Sequence, residues 1–254
     1  MIPLFLSQIK TKDSLLLEGV VSLPKRKTTT ALIWLHGLTS NFSRSQKLMS
    51  EVTAQCSKNN IVYIKFNTRG HDVFSRGKKN LIGGGFEKFE ECLYDIDAMI
   101  RYARKLGCKQ IFLAGHSTGA NKALYYIYKQ QDSAIKGLLL LGSISDRAGQ
   151  MQILGEKKLA LSLRLAEKLS QKNPQTLMPI EYGLFTARRY CSLYKQGTPE
   201  DVFPYHNSHA KWKELASMQI PLAVIVGRRD QYLDRTAKQF IDAFRTHAIL
   251  TKCF

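Results

Sequence analysis

Apolar positions along the chain fall into short unbroken runs, separated by stretches in which they recur every third or fourth residue. Short runs suit buried strands, and the three-and-four spacing suits one face of a helix. Ala31-Leu32-Ile33-Trp34-Leu35, Ile61 to Phe66, Ile111-Phe112-Leu113-Ala114, Ile135 to Leu141 and Ile220 to Val226 are the strand-like runs. The first of these is apolar on both faces, as a strand in the middle of a covered parallel sheet must be. Between the runs, Ser45 to Lys58, Glu87 to Leu106 and Ala120 to Tyr128 read as helices. In the second, Phe89, Leu93, Ile96, Met99 and Ile100 share a face, and Gly107 stops it. Strands that alternate with helices predict an α/β class, with a mostly parallel central sheet and helices on both faces. At the start, Leu4 to Ile9 and Leu15 to Ser22 flank the turn-forming Lys12-Asp13-Ser14, which predicts a hairpin.

The alternation stops from Arg147 to Ser217. A helical pattern over Gln152 to Leu169 gives way there to a polar, Pro-containing segment, which suits an inserted helical lid spanning about residues 147–217. Beyond Val226 come a loop, Gly227 to Asp234, a helix from about Arg235 to Thr246, and a last strand over Ala248 to Phe254. A chain of 254 residues with this pattern suits a single domain, 1–254, that carries the lid within it.

Composition narrows the classes without naming one. The apolar fraction of 44% is ordinary for a globular core, and no apolar run approaches the roughly 18 residues that cross a bilayer. Residues 1–10 carry Pro3 and lack a basic leader or a small-residue cleavage site, so they read as a strand. No membrane partner is expected. Five scattered cysteines without a CxxC pair give no disulfide frame and no metal-ligand spacing, which fits a reducing cytoplasm. The formal charge of +18 would favour anionic partners, but the Lys and Arg residues are spread along the chain and are not gathered with aromatics. A specific nucleic-acid partner is therefore not expected.

The chemistry lies at the strand ends. Gly115-His116-Ser117-Thr118-Gly119 follows a strand and opens a helix, the sequence and context of a G-x-S-x-G nucleophile elbow. Small flanking residues allow the tight turn that holds the Ser117 hydroxyl above the sheet, and the helix start aims backbone N–H groups at any oxyanion formed there. His36-Gly37-Leu38 closes the earlier strand and supplies the other half of an oxyanion hole, with the Leu38 and Thr118 amides as donors. Gly227-Arg228-Arg229-Asp230 puts a carboxylate beyond the strand Ile220 to Val226, so Asp230 is the candidate acid and Asp146 its runner-up. The base is not found by the same logic. In this order the histidine follows the acid, and only His247 does so, yet it precedes the last strand and should sit at the opposite edge of the sheet. His116 diverges from its neighbour in a tight turn, His36 and His71 shape loops, and His206 and His209 lie in the lid, where they could at most touch substrate. Gly83-Gly84-Gly85, after Arg76, Lys78 and Lys79, lacks a phosphate-loop pattern and reads as a flexible loop, and Tyr125, Tyr126 and Tyr128 read as core.

These residues resemble α/β-hydrolases. Ser145-Asp146-Arg147, Thr186-Ala187-Arg188-Arg189-Tyr190 with Ser192-Leu193, and Glu200-Asp201-Val202-Phe203 are similar to a poorly characterised hydrolase family that contains the fungal siderophore esterases. The resemblance runs from about Trp34 to Asp234. It implies cleavage of a small-molecule ester, possible without metal or organic cofactor, with Ser117 as nucleophile and Asp230 as acid. It would also place a histidine after the last strand, where this sequence reaches Phe254, so the base is expected beyond that residue or has been lost. A non-catalytic homologue that binds a ligand or partner is the alternative expectation.

Overall fold

The structure, a computed structural model, describes residues 2–77, 80–143, 145–205, 207, 209–248 and 251–253. Its strands are β1 (Phe5–Lys10), β2 (Leu16–Ser22), β3 (Thr30–Leu35), β4 (Val62–Phe66), β5 (Ser75–Arg76), β6 (Leu81–Ile82), β7 (Gln110–His116), β8 (Ile135–Leu141), β9 (Leu222–Ile225) and β10 (Thr251–Cys253). The helices are α1 (Gln46–Lys58), α2 (Cys92–Lys105), α3 (Thr118–Gln130), α4 (Asp146–Leu154), α5 (Glu156–Lys172), α6 (Ala187–Tyr194), α7 (Lys213–Ala216) and α8 (Ala237–His247). All but β5 and β6 join one sheet in the order β1-β2-β4-β3-β7-β8-β9-β10. The opening hairpin pairs antiparallel and meets β4 antiparallel, and every pair from β4 to β10 is parallel.

The unbroken apolar runs become the covered strands for the expected reason. Ile33, Leu35, Ile64 and Phe66 face a core built with α2, α3 and α8, while Trp34 and Tyr63 face Met49, Val52 and Cys56 of α1. Helices therefore lie on both faces. The chain goes from β3 outward to β4 and then returns to the other side of β3 for β7, with Leu35 registered against Gly115. Such a reversal opens a crevice at the carboxyl ends of the strands, where ligands of open parallel sheets bind. Leu38 and Ser117 both leave the sheet at that point.

Several elements differ from expectation. The predicted helix over 152–169 is two helices, α4 and α5, broken at Gly155 with φ 76° and ψ 157°, a conformation closed to side chains. The polar stretch after them contains α6, whose Ala187, Tyr190, Leu193 and Tyr194 form a second apolar cluster with Leu159 and Ala166 of α5. Gly83-Gly84-Gly85 is not a flexible loop. Its three N–H groups donate to the carbonyls of Arg69, Asp72 and Val73 at 2.7–2.9 Å, and all three glycines are buried. A side chain on Gly85 would strike the Leu184 carbonyl, so the triplet is where the inserted helices meet the sheet's crevice. No helix among the described residues is long and apolar enough to cross a membrane.

Candidate active site

β7 runs on to His116, and α3 begins at Thr118, so a single residue makes the turn between them. That residue, Ser117, has φ 54° and ψ −129°. Such a backbone costs a non-glycine residue about 1–3 kcal/mol and persists only where its surroundings dictate it. Here the Ser117 N–H donates to Leu141 O of β8 at 2.9 Å, and the Ala120 N–H donates to Ser117 O at 2.8 Å. Close approach of the β3 loop completes the hold. A Cβ on Gly37 would lie 2.9 Å from the Ser117 Cβ, and one on Gly119 would strike Leu35 O. Ser117 is half-buried, and its hydroxyl has no hydrogen-bond partner among the described residues.

Leu38 follows Gly37 into the crevice, and its side chain packs against the cluster of α5 and α6. Thr118, directly after the elbow, is buried, and its Oγ1 has no partner among the described residues. The two proposed oxyanion donors thus belong to segments that meet at Ser117. Behind them His36 is enclosed, with Nδ1 2.9 Å from Gly37 O and Nε2 3.0 Å from the Thr68 amide nitrogen. Burial, aided by the nearby Lys122 cation, pushes the His36 imidazole down to about 3. Both ring nitrogens are thus engaged by backbone groups, Nδ1 at Gly37 O and Nε2 at the Thr68 N–H.

Asp230 sits in the loop after β9, where its Oδ2 would lie 3.6 Å from a Cβ on Gly142, the residue that follows β8. Its Oδ1 accepts the Tyr232 N–H at 3.0 Å. Desolvation lowers the His116 imidazole, and the Asp230 charge acts in the opposite direction. Asp146, the runner-up, opens α4. Burial and the adjacent Glu200 push its carboxyl up to about 7, and Arg189 only partly offsets them.

None of the described histidines hydrogen-bonds to Ser117 or to the Asp230 carboxylate. His71 Nδ1 is committed to Asp72 Oδ2 at 2.9 Å, and Asn41 donates to the other oxygen of that carboxylate at 2.7 Å. His209 is exposed, and His206 lies outside the described residues. His247 ends α8, which runs back from the crevice edge of the sheet, and its ring stacks on Trp212 at 5.0 Å with 10° between planes. His247→Ala is therefore expected to leave ester turnover unchanged and to cost about 0.5–1.5 kcal/mol in urea unfolding, the worth of an aromatic pair. Turnover that collapses in this variant while the fold survives would place His247 at the site after all.

Sequence inspection missed the charged residues beneath the crevice. Lys122 of α3 lies 2.7 Å from Glu87 Oε2, and Arg189 Nη2 of α6 lies 2.9 Å from Glu87 Oε1 without the alignment of a hydrogen bond. Arg189 also pairs with Glu200 through both Nη atoms and donates from Nε to Gly84 O at 2.9 Å. The available signal was Lys122 itself, a lone cation in the otherwise small and apolar start of α3.

The fold and the elbow place the chain in the α/β-hydrolase class, and solved structures agree. The siderophore hydrolase EstB from Aspergillus fumigatus superposes with a TM-score of 0.69 at 15% identity, covering 100% of this chain and 89% of its own. Est1E from Butyrivibrio proteoclasticus, bound to ferulic acid, gives 0.67 at 17% identity, covering 98% and 88%. The Pyrococcus furiosus esterase PF2001 gives 0.63 at 19% identity, covering 100% and 81%. The profile of a family described as a protein of unknown function (DUF1749) matches residues 76–248, and the chain belongs to that family. No curated protein matches the sequence.

Proposed function

We propose that the protein is a serine hydrolase that cleaves a carboxylic ester of a small molecule through an acyl-enzyme on Ser117. The observation that carries this assignment is the backbone of Ser117, held at φ 54° between β7 and α3 against the β3 loop. Strain of this kind clusters at functional sites: Ser45 also has a positive φ but rests in the left-handed helical region with ψ 45°, whereas ψ −129° puts Ser117 outside it. Ser117 attacks the ester carbonyl, the Leu38 and Thr118 amides receive the negative oxygen, the alcohol leaves, and water then releases the acid. Asp230 orients the base and stabilises its cation. The likeness to EstB, together with the resemblance of the Ser145, Thr186 and Glu200 segments to the siderophore-esterase family, supports a siderophore-type ester as substrate. A reducing, cytoplasmic setting suits the free thiols of Cys56, Cys92, Cys108 and Cys191.

The second assignment is a catalytically impaired homologue that binds a ligand or a partner, favoured by the lack of a described histidine on Ser117. Hydrolysis of a short-chain aryl ester separates the two. Asp230→Asn is expected to lower turnover about tenfold or more beyond Asp146→Asn, because a triad acid fixes the base and its tautomer. Asp146, raised to about 7, is about half uncharged at neutral pH, so its amide changes the site less than an amide at a fully ionised carboxylate would. Equal turnover in both variants and the parent, above the uncatalysed rate, would remove Asp230 from the mechanism. Turnover at the uncatalysed rate in all three would favour the impaired homologue.

A further inference from the structure

The β3 loop is held by buried groups whose hydrogen-bond direction is set from one end. Lys122 can only donate. It spends one proton on Glu87 Oε2 at 2.7 Å and another on Thr68 Oγ1 at 3.2 Å. The Thr68 hydroxyl, accepting there, has its own proton to give, and it lies 3.3 Å from His36 Nε2. The Thr68 backbone N–H donates to the same ring nitrogen at 3.0 Å. A nitrogen that faces two donors must be the unprotonated one, so the imidazole proton is on Nδ1. Nδ1 lies 2.9 Å from Gly37 O and donates to it. The Gly37 carbonyl and the Leu38 N–H belong to one planar trans peptide and point in opposite directions. Anchoring the carbonyl therefore aims the amide.

We infer that His36 is the positioning residue of the oxyanion loop, gripping the Gly37–Leu38 peptide with an Nδ1 proton whose place is set by the Thr68 N–H and reinforced by Lys122 through the Thr68 hydroxyl. The use of that peptide in catalysis rests on the assignment of Ser117 above; the tautomer and the grip do not. An imidazolium at His36 would press a proton against the Thr68 N–H and against the Lys122 cation, and its burial keeps it neutral down to about pH 3. The far side of Glu87 faces Arg189 of α6, and the Leu38 side chain packs in the cluster to which α6 belongs. Glu87 thus links Arg189 of the inserted helices to the Lys122–Thr68–His36 series behind the oxyanion loop, and the peptide is held through its main chain and its side chain together.

Two readouts test this, and only one needs a reactive serine. In protein labelled with ¹⁵N-histidine, the His36 ring is expected to show the Nδ1–H tautomer unchanged from about pH 5 to 9, a range far above its lowered value. An Nε2–H ring or an imidazolium in that range overturns the inference. The Leu38 amide resonance is expected to move in His36→Leu and to stay near its parent position in His36→Asn, whose side-chain N–H can stand in for Nδ1–H; movement in neither or equally in both overturns it. The rate of fluorophosphonate labelling at Ser117 should fall about tenfold to 100-fold in His36→Leu, short of the roughly 10²–10³ lost with an oxyanion donor. It should recover in His36→Asn but not in His36→Gln. Thr68→Val, which cuts Lys122 off from the ring and keeps the Thr68 N–H, should slow labelling in the parent but not in a His36→Leu background. Equal rates in the Leu and Asn variants overturn the inference. A parent protein that takes no label defeats the nucleophile assignment, and the tautomer and the Leu38 amide then decide this inference alone.

Discussion

Ser117→Ala is expected to abolish labelling of the protein by a fluorophosphonate and to remove any ester turnover above that of the uncatalysed reaction assisted by the oxyanion site. The probe reacts only with a serine that is both exposed to it and supported by donors for the developing oxyanion. Ser117 meets the first condition by geometry, since its hydroxyl has no partner among the described residues, and the segments of Leu38 and Thr118 that meet there address the second. Residual acceleration of about 10³–10⁴ over water from binding and oxyanion contacts is what triad deletions leave behind. Stability gives an independent check. Alanine keeps the Cβ and hence the strain of φ 54°, so Ser117→Ala should unfold at nearly the parent's urea midpoint. Ser117→Gly relieves that strain and should be more stable by about 1 kcal/mol, part of the 1–3 kcal/mol such conformations cost. A label that persists in Ser117→Ala would move the nucleophile elsewhere, and a glycine variant no more stable than the alanine one would show that the elbow is unstrained.

Where the sequence was readable, one physical rule dominated. Ala31 to Leu35 is apolar on both faces, and so is Leu138 to Leu141 after the exposed Lys136, because β3 and β8 lie inside a sheet that is covered on both sides. The elbow was equally plain, since few other uses put Gly-x-Ser-x-Gly between such a strand and a helix. Boundaries slipped where a residue type is ambiguous. Gly155 sits inside an otherwise helical pattern and tells nothing of whether it is tolerated or breaks the helix, and only its φ of 76° decides. Gly83-Gly84-Gly85 misled in the opposite sense, because glycine serves flexible loops and crowded backbone crossings alike. The buried ions were illegible for a deeper reason. Glu87 and Lys122 are far in sequence from Arg189 and Glu200, and although the last two stand in motifs quoted for the family resemblance, only tertiary contact makes the four partners. His247 shows the reverse case, in which chain direction alone removed it from the site and the structure supplied its actual neighbour, Trp212.

Arg189→Met is expected to destabilise the fold by about 3–5 kcal/mol, the cost of removing one partner from a buried ion pair and leaving the other charge behind. The guanidinium has no solvent exposure, and neither Glu87 nor Glu200 is more than slightly exposed. Glu87 keeps Lys122 as a counter-ion, so the charge left without compensation belongs to Glu200, which already raises the nearby Asp146 carboxyl. The loss also frees Gly84 O, which accepts from Arg189 Nε, and leaves the Thr186 N–H to Gly85 O at 2.8 Å as the hydrogen bond between the start of α6 and the glycine triplet. Against a total stability of about 5–15 kcal/mol for a domain, this one side chain decides much of the outcome. Adding Glu200→Gln removes the uncompensated charge, so the double variant should be more stable than Arg189→Met alone even though a further native contact has gone. Urea unfolding at neutral pH of the parent, both single variants and the double variant measures the coupling directly. A loss below about 1 kcal/mol for Arg189→Met, the range of exposed pairs, or additive losses in the double variant would show that Arg189 is a surface charge in solution and that α6 is not tied to the sheet through it.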